Sequence, residues 1–375
     1  MWNARIKNVV NRCGEVIVSD EEGFNNIDES NSYAWSSRLD SQEASAINLY
    51  ACWGKTDFQF FSRFNHLAAR LKILGNCRSD LLGASGKKLY AELSSSLQMV
   101  FGPFVLCVDN FCVEHRDGSY SPPRYDKSEE ENNKAQIEYA ARMEDQANRR
   151  SHFARLIKQS ALNNANLNYV IRPHPCADPR WWCEAFWDLR NVHVIYKYNV
   201  DPWLHAAKAV ISMGCTTSIQ SIVAGTPVIE IKLESSILSQ NLGFAHNYTK
   251  LNVKNIEQLD RAITHSLNEP SNCFRNRAQI ESDWKNSLTN SATSIFADEF
   301  YDIASTAAGQ FDHNISTLND YSLLRRKKPL VTNSTKWIQT PLARLYQLQK
   351  RVEDAFSFKP VTISKICDDL FLVSP

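Results

Sequence analysis

The sequence predicts an α/β protein built on parallel sheets, and three observations lead to this fold class. Short apolar segments alternate with segments of helical periodicity along most of the chain. Several of the short segments are continuously apolar, which is typical of strands that are buried on both faces. Most of them end at a glycine or at a short polar loop, where a parallel strand is followed by its crossover helix.

The first part of the chain contains three strand-like segments. They occupy residues 15–19, 47–53 and 70–74, and apolar residues recur at helical spacing over residues 58–71. Strand, helix and strand in this order predict one parallel sheet. Because three strands are few for such a domain, we expect residues 1–99 to form a partial Rossmann-like domain.

A second unit starts near residue 101. Residues 104–108 predict a buried strand, and residues 113–135 are rich in Ser, Pro, Asn and charge, which predicts a loop. Residues 134–162 have helical periodicity. Further strands are predicted at residues 168–172, 192–196, 209–212 and 227–231, with helices at residues 202–207 and 216–224. This alternation predicts a doubly wound, Rossmann-like domain over residues 100–310, whose ligands lie beyond the carboxyl ends of the strands.

The rest of the chain is predicted to be mainly helical. Helices are expected at residues 256–267, 273–288 and 291–308. Residues 311–375 form a carboxyl-terminal tail with one amphipathic helix at residues 342–356. The basic stretch at residues 325–328 fits a solvated connection better than a membrane-binding surface.

Charge and hydrophobicity exclude several classes of protein. The 42 Lys and Arg residues balance the 41 Asp and Glu residues, whereas a nucleic-acid-binding protein usually has a basic excess. No run of about 18 apolar residues predicts a transmembrane helix. The first residues lack the apolar core of a signal peptide, so we expect a cytoplasmic protein.

The ten cysteines predict neither disulfides nor a metal site. No Cys-x-x-Cys pair occurs, although structural zinc sites usually need such short spacings. Several cysteines lie in or beside apolar strand-like segments, where Cys behaves as a small buried hydrophobe. We therefore expect no metal and no cofactor.

One candidate site follows the strand at residues 168–172. The sequence Arg172-Pro173-His174-Pro175 presents His174 on an extended backbone that two prolines restrict. A histidine there can donate a hydrogen bond to a phosphate, and the Arg172 guanidinium has a geometry suited to phosphate. The alternative is a capped strand end with an inert histidine.

A second candidate site lies between the strand at residues 209–212 and the next helix. Gly214 is followed by Cys215, Thr216, Thr217 and Ser218. The glycine lets a ligand approach the backbone, while hydroxyl and free amide groups gather at the helix amino terminus. Such a terminus binds anions. The alternative is an ordinary helix cap, but three hydroxyls exceed what one cap needs.

A third candidate is the acidic turn Asp20-Glu21-Glu22-Gly23. Three neighbouring carboxylates repel one another, so one of them can have a raised pKa in a closed cleft. Such a group can act as a general base toward an acceptor hydroxyl. A solvated acidic turn is the alternative for this segment taken alone.

These motifs together resemble the bacterial family of surface carbohydrate biosynthesis proteins. The matching segments span roughly residues 16 to 231 and occur in the family's order: Asp20-Glu21-Glu22-Gly23, Ala51-Cys52-Trp53-Gly54, residues 75–82, Arg172-Pro173-His174-Pro175, residues 215–219 and Gly225-Thr226-Pro227. The resemblance implies a GT-B fold, in which two Rossmann-like domains face a cleft. It also implies a glycosyltransferase of capsule or lipopolysaccharide biosynthesis.

The same motifs are similar to those of bacterial GT-B sialyltransferases and Kdo transferases. This similarity implies that Glu21 or Glu22, in the turn with Asp20, is the catalytic base. It implies that a CMP-linked donor, such as an activated Kdo or another ulosonic acid, is bound by the His-Pro motif and the hydroxyl groups. The phosphate-binding set then comprises Arg172, His174, Pro175, Gly214, Thr216, Thr217 and Ser218. Gln220 stands where the family has a Glu for ribose hydroxyls.

The chain departs from the family in a second respect. Only nineteen residues precede the acidic turn, fewer than in the family, so we expect a truncated first domain and impaired activity. The expected partners are a nucleotide sugar and a glycan or glycolipid acceptor, and no nucleic acid. A peripheral association with the inner face of the cell membrane is a further expectation. Two alternatives stay open: a nucleotide-sugar 2-epimerase of the same fold, and a non-catalytic nucleotide-binding subunit.

Overall fold

The computed structural model confirms the predicted α/β class. It describes residues 17–19, 47–64, 70–111, 129–174, 177–195, 197–233, 247–289, 291–299, 362–367 and 370–374. The chain forms two compact units, Met1–Ala297 and Asp298–Pro375. The first unit contains two parallel sheets. The predicted domain boundaries near residues 99 and 310 stay predictions.

The smaller sheet consists of the three strands that the sequence predicts. Its order is β1 (Ile17–Ser19), β2 (Leu49–Cys52) and β3 (Leu71–Ile73), all parallel. Helix α1 (Lys55–Phe61) follows β2 and begins and ends earlier than the helix predicted over residues 58–71. Phe60 and Phe61 at its end are buried against Tyr50 and so join the helix to the sheet. Residues 1–16 and 20–46 lie outside the described part, so the expected incompleteness of this sheet stays a prediction.

Three short helical segments lead from the smaller sheet to the larger one. A 3-10 helix at Cys77–Leu81 is capped by Asn76, whose side chain accepts a hydrogen bond from the Arg78 amide at 2.8 Å. Helices α2 (Ala84–Leu89) and α3 (Ala91–Phe101) follow. The sequence had not singled out these helices.

The larger sheet has six described strands in the order β6-β5-β4-β7-β8-β9, and all pairings are parallel. Strands β4 to β9 are Phe104–Val108, Asn168–Arg172, Val192–Val194, Ala209–Ser212, Val228–Ile231 and Leu251–Val253. Helices α4 to α8 are Glu129–Asn163, Arg180–Phe186, Asp201–Ala206, Thr216–Ala224 and Ile256–Asn268. The chain thus builds β5 and β6 on one side of β4 and then returns to build β7, β8 and β9 on the other side.

Apolar side chains cover both faces of the larger sheet. One cluster includes Val105, Cys107, Ile171 and Ile211 together with Phe153 of α4. The other includes the alternate residues of the same strands, with side chains from α6 and α7. Strand β4 is fully buried along its length, which explains its continuously apolar sequence.

The structure corrects the prediction of one long helix over residues 273–288. The segment instead contains 3-10 helices at Pro270–Cys273 and Arg277–Gln279 and the short helix α9 (Ile280–Asp283). Phe274 is held in extended conformation by an antiparallel bridge to Thr249. Asn286 has a φ of 65°, which ends helical continuity. Helix α4 also begins at Glu129, inside the predicted loop.

Residues 280–289 and 291–293, which we call the return segment, pack against the ends of β2 and β3. The Lys285 amide donates to the carbonyl oxygen of Trp53 at 2.7 Å, and the Asn286 side chain donates to that of Leu74 at 3.0 Å. The rings of Trp53 and Trp284 lie 4.4 Å apart. A Cβ atom on Gly75 would lie 2.0 Å from the carbonyl oxygen of Lys285, so only glycine permits this approach.

The second unit contains an antiparallel hairpin. Its strands are β10 (Thr362–Cys367) and β11 (Leu370–Ser374). The sequence had given no expectation for this segment, and the helix predicted at residues 342–356 lies outside the described residues. Within the described part of the chain, no helix is both long and apolar enough to cross a bilayer.

We predict that Asp80→Ala destabilises the first unit. The buried Asp80 carboxylate accepts the amide hydrogens of Ala292 and Thr293 at 3.2 and 2.8 Å, at the start of the helix over residues 292–299. Leaving buried amides without a partner should lower the free energy of unfolding by about 1 to 3 kcal/mol. Urea unfolding measures this change.

The matched control for this experiment is Asp188→Ala. Asp188 pairs with Lys158 at the surface, and both side chains are partly exposed. This variant should unfold at nearly the same urea concentration as the wild type. Equal midpoints for Asp80→Ala and Asp188→Ala would show that the return segment is not held in this way.

Candidate functional site

The candidate site lies where the larger sheet changes the direction in which it grows. Strand β4 pairs with β5 on one side and β7 on the other, so the carboxyl ends of β4 and β7 are the position at which a sheet of this kind binds its ligand, and we call this position the crevice. Three loops follow these strand ends: Asp109–Phe111 after β4, Pro173–His174 after β5 and Met213–Cys215 after β7. The site that the sequence predicts lies on the last two loops.

Two hydrogen bonds link these loops. The backbone amide of His174 donates to Asp109 Oδ2 at 3.4 Å. The Asn110 side chain donates to the carbonyl oxygen of Gly214. The β4 loop therefore joins the two predicted motifs, which come from parts of the sequence that are about 40 residues apart.

The loop after β7 has the geometry of an anion-binding helix terminus. Gly214 has a φ of 75°, which favours glycine at the turn into helix α7. Cys215 is the N-cap of α7, and its side chain makes no capping hydrogen bond. Thr216 and Thr217 are the first two helical residues and are half-buried. Their hydroxyls are therefore not at the capping position, which leaves the first turn suited to an external anion.

Burial governs the chemistry of Cys215. The backbone amide and hydroxyl of Thr217 lie beside its sulfur and lower the thiol pKa, but desolvation is the larger effect and raises that pKa. The thiol is therefore held in its neutral form at neutral pH. A neutral thiol does not compete with an anion for the helix terminus.

Two of the predicted ligands, Arg172 and Ser218, make internal hydrogen bonds in the structure, and a third, Gln220, is buried. The guanidinium of the buried Arg172 donates to the carbonyl oxygens of Lys197 and Tyr198 at 2.7 and 3.0 Å. The Ser218 hydroxyl donates to Ser212 Oγ at 2.7 Å inside the core. Gln220 is buried, and its Oε1 has no hydrogen-bond partner within the described residues. These contacts indicate that Arg172 and Ser218 position the loops.

The predicted catalytic residues Asp20, Glu21 and Glu22 lie outside the described residues, as does Pro175. Their roles stay predictions. Among the predicted set, the structure brings together the loops that carry His174, Gly214, Thr216 and Thr217. In the part of the chain that it describes, no three His, Cys, Asp or Glu side chains are grouped so that they could hold a metal ion.

Asp109 organises the crevice, although the sequence analysis missed it. Its carboxylate accepts hydrogen bonds from the Phe111 amide, from Trp182 Nε1 at 2.8 Å and from the His174 amide. Burial raises the pKa of Asp109 to about 6, even though these donors lower it. A carboxylate directly after a continuously apolar strand was the available signal.

Arg149 and Glu230 lie beneath the β7 loop and were also missed. Arg149 of α4 donates to the Met213 carbonyl oxygen, and Glu230 of β8 accepts from the Gly214 amide at 2.9 Å. Burial raises the pKa of Glu230 to about 7, against the influence of Ser218, Gly214 and Arg149. Burial likewise lowers the pKa of Arg149. An ionisable residue within the apolar segment Val228–Ile231 was the signal for Glu230.

No protein-family model and no curated protein matches this chain. Several solved structures superimpose on part of the chain. One is UDP-GlcNAc 2-epimerase from Neisseria meningitidis bound to UDP-GlcNAc, which has 12% sequence identity and a TM-score of 0.49. The superposition covers 80% of this chain and 73% of that chain. The Methanocaldococcus jannaschii UDP-GlcNAc 2-epimerase has 10% identity, coverages of 80% and 79%, and a TM-score of 0.47. The wall teichoic acid polymerase TagF has 10% identity, coverages of 74% and 62%, and a TM-score of 0.47. Because the sequence identities are low and the TM-scores are below 0.5, these similarities assign neither a ligand nor an activity to this chain.

We predict that Glu230→Gln flattens the pH dependence of stability. A carboxyl whose pKa is raised from 4.5 to about 7 in the folded state stabilises the fold below pH 4.5, and this contribution is lost as the pH rises through 7. Between pH 5 and pH 8 the wild type should therefore lose on the order of 2 kcal/mol more than the variant. Urea unfolding at both pH values provides the test.

Asp188→Asn serves as the control for this pH series. Lys158 lowers the pKa of the Asp188 carboxyl at the surface. Removing this carboxyl should therefore leave the dependence of unfolding free energy on pH unchanged between pH 5 and pH 8. If Glu230→Gln and the wild type had parallel pH profiles, the carboxyl beneath the loop would have an ordinary pKa.

Proposed function

We propose that the protein binds a nucleotide sugar at the crevice beyond β4 and β7 and acts as a GT-B glycosyltransferase of surface polysaccharide biosynthesis. The observation that carries this proposal is the amino terminus of α7, which has no side-chain cap and lies at the point where the sheet changes direction. The adjacent loop with His174 supports it, because both loops meet the Asp109–Asn110 segment.

Phosphate is the chemistry that this arrangement suits best. The first amides of the nine-residue helix α7 and its macrodipole favour an anion by about 1 kcal/mol. Thr216 and Thr217 add hydroxyl donors in the same turn, and His174 supplies a further donor from the neighbouring loop. Two donor groups on loops that follow β5 and β7, on either side of β4, fit a diester or diphosphate better than a single anion.

The proposed donor is a CMP-linked ulosonic acid, and the proposed acceptor is a glycan or a glycolipid at the inner face of the cell membrane. Both follow from the resemblance of the His-Pro and Thr-Thr motifs to sialyltransferases and Kdo transferases. The same resemblance assigns the general base to Glu21 or Glu22, in the turn with Asp20. Sugar isomerisation without an acceptor would instead favour a 2-epimerase, and nucleotide binding without turnover a non-catalytic subunit.

We predict that Thr217→Val and His174→Ala each weaken nucleotide binding. Thr217→Val removes one hydroxyl donor from the first turn of α7 and should cost about 1 to 2 kcal/mol of binding free energy. Isothermal titration calorimetry with CMP and UDP measures this loss of binding free energy. Thr264→Val, on the exposed face of α8, is the matched control and should bind as the wild type does.

Wild-type affinity in both Thr217→Val and His174→Ala would move the site away from these loops. A loss in only one of them would keep the site and reassign the other residue. Circular dichroism of each variant shows whether the fold is retained.

We further predict that CMP stabilises the protein more than UDP or GDP does. The basis is the joint presence of the His-Pro motif and the Thr216-Thr217 pair, which resembles CMP-dependent enzymes. A nucleotide at about 100 times its Kd should raise the free energy of unfolding by about 2.7 kcal/mol. Thermal melting with each nucleotide gives the ranking, and a preference for UDP would favour hexose transfer or epimerisation.

A further inference from the structure

One peptide group at the candidate site is held from both sides by buried ionisable residues. The peptide between Met213 and Gly214 has its carbonyl oxygen bonded to Arg149 Nη2 and its amide bonded to Glu230 Oε2 at 2.9 Å. The next carbonyl oxygen, that of Gly214, accepts from Asn110. Three residues from α4, β8 and the end of β4 therefore fix the backbone that leads into α7.

Arg149 and Glu230 are costly to bury, so their place beneath the loop needs a physical reason. The exposed fractions are 1% for Arg149 and 4% for Glu230. Arg149 Nε and Glu230 Oε1 have no hydrogen-bond partner within the described residues. An apolar pair would fill this space at lower electrostatic cost. It could not bond the two ends of the Met213–Gly214 peptide.

We propose that Arg149 and Glu230 are positioning residues that hold the Met213–Gly214 peptide in the orientation in which the first turn of α7 binds phosphate. The inference rests on the proposed function. Gly214 has access to a wide range of φ and ψ values, so without these two bonds its peptide can rotate. Rotation would redirect the amides of Cys215 and Thr216. Restoring their orientation on binding would then cost part of the binding free energy of the ligand.

The pair also couples anion binding to a proton. The charged and titratable groups around it are Asp145 of α4, Asp109 after β4, Cys215 of the loop and Lys232 after β8. Carboxyl groups outnumber the cations among these neighbours. A phosphate above the loop should therefore favour the protonated form of Glu230, whose pKa burial already raises. Affinity for an anion should fall as the pH rises through 7.

The test uses the full chain and measures the Kd of CMP, UDP and inorganic pyrophosphate at pH 6 and pH 8. Arg149→Lys keeps the positive charge but not the planar guanidinium with its several N–H donors. Glu230→Gln keeps an oxygen acceptor but not the carboxylate. Arg149→Lys should weaken binding roughly tenfold, because a bond to a charged group is lost. Glu230→Gln stays neutral at both pH values, so it should remove the difference in Kd between pH 6 and pH 8, which a merely structural role does not predict.

Ser160→Ala is the matched control. Ser160 is fully buried on the same helix as Arg149 and bonds Tyr169 and Asp260 instead of the loop. This variant should lower the melting temperature without changing the Kd of any probe. Asn110→Ala serves as the second variant if Arg149→Lys and Glu230→Gln do not fold, since it removes only the part-buried bond to Gly214.

The outcomes separate this inference from the proposed function. If the wild type binds CMP or UDP and the loop variants bind them equally well at both pH values, the positioning role is wrong and nucleotide binding stands. If only pyrophosphate binds and its Kd depends on Glu230 and Arg149, the positioning role stands and the nucleotide assignment is wrong. If the wild type binds none of the three probes, both are wrong.

Discussion

The pairing of β4 with both β5 and β7 is the constraint on which the rest of the first unit depends. Because the chain adds strands first on one side of β4 and then on the other, the loops after β4 and β7 leave the sheet in different directions. Asn110 and Gly214 meet beyond these strand ends, and α7 begins there.

The electrostatics of the crevice follow from burial. Asp109 and Glu230 are nearly inaccessible to solvent, so desolvation raises the pKa of both carboxyls. Backbone amides offset part of this cost by hydrogen bonding to the carboxylates, and the charge of Arg149 offsets part of it at Glu230. The result is a loop held by hydrogen bonds to buried side chains, while the amino terminus of α7 has the positive end of the helix dipole.

The two sheets of the first unit are joined by the return segment and not by a continuous sheet. Its contacts use the backbone atoms of Trp53, Leu74 and Lys285 and the carboxylate of Asp80. Backbone contacts of this kind leave little trace in a hydrophobic pattern. This is why periodicity over residues 273–288 predicted one helix, whereas the tertiary contacts divide it into short pieces.

The sequence by itself determined the α/β class, the parallel strands at residues 104–108, 168–172 and 209–212 and the helix at residues 216–224, because local apolar patterns encode burial. It also determined that the loops with His174 and Thr217 follow strands, whereas the structure shows that these two strands, β5 and β7, lie on either side of β4. Only the tertiary structure decided that Arg172 and Ser218 bond inward, and that Arg149 and Glu230 bond one peptide from opposite sides. Side-chain direction and pairing between distant segments depend on how helices pack on the sheet, and no local pattern records that packing.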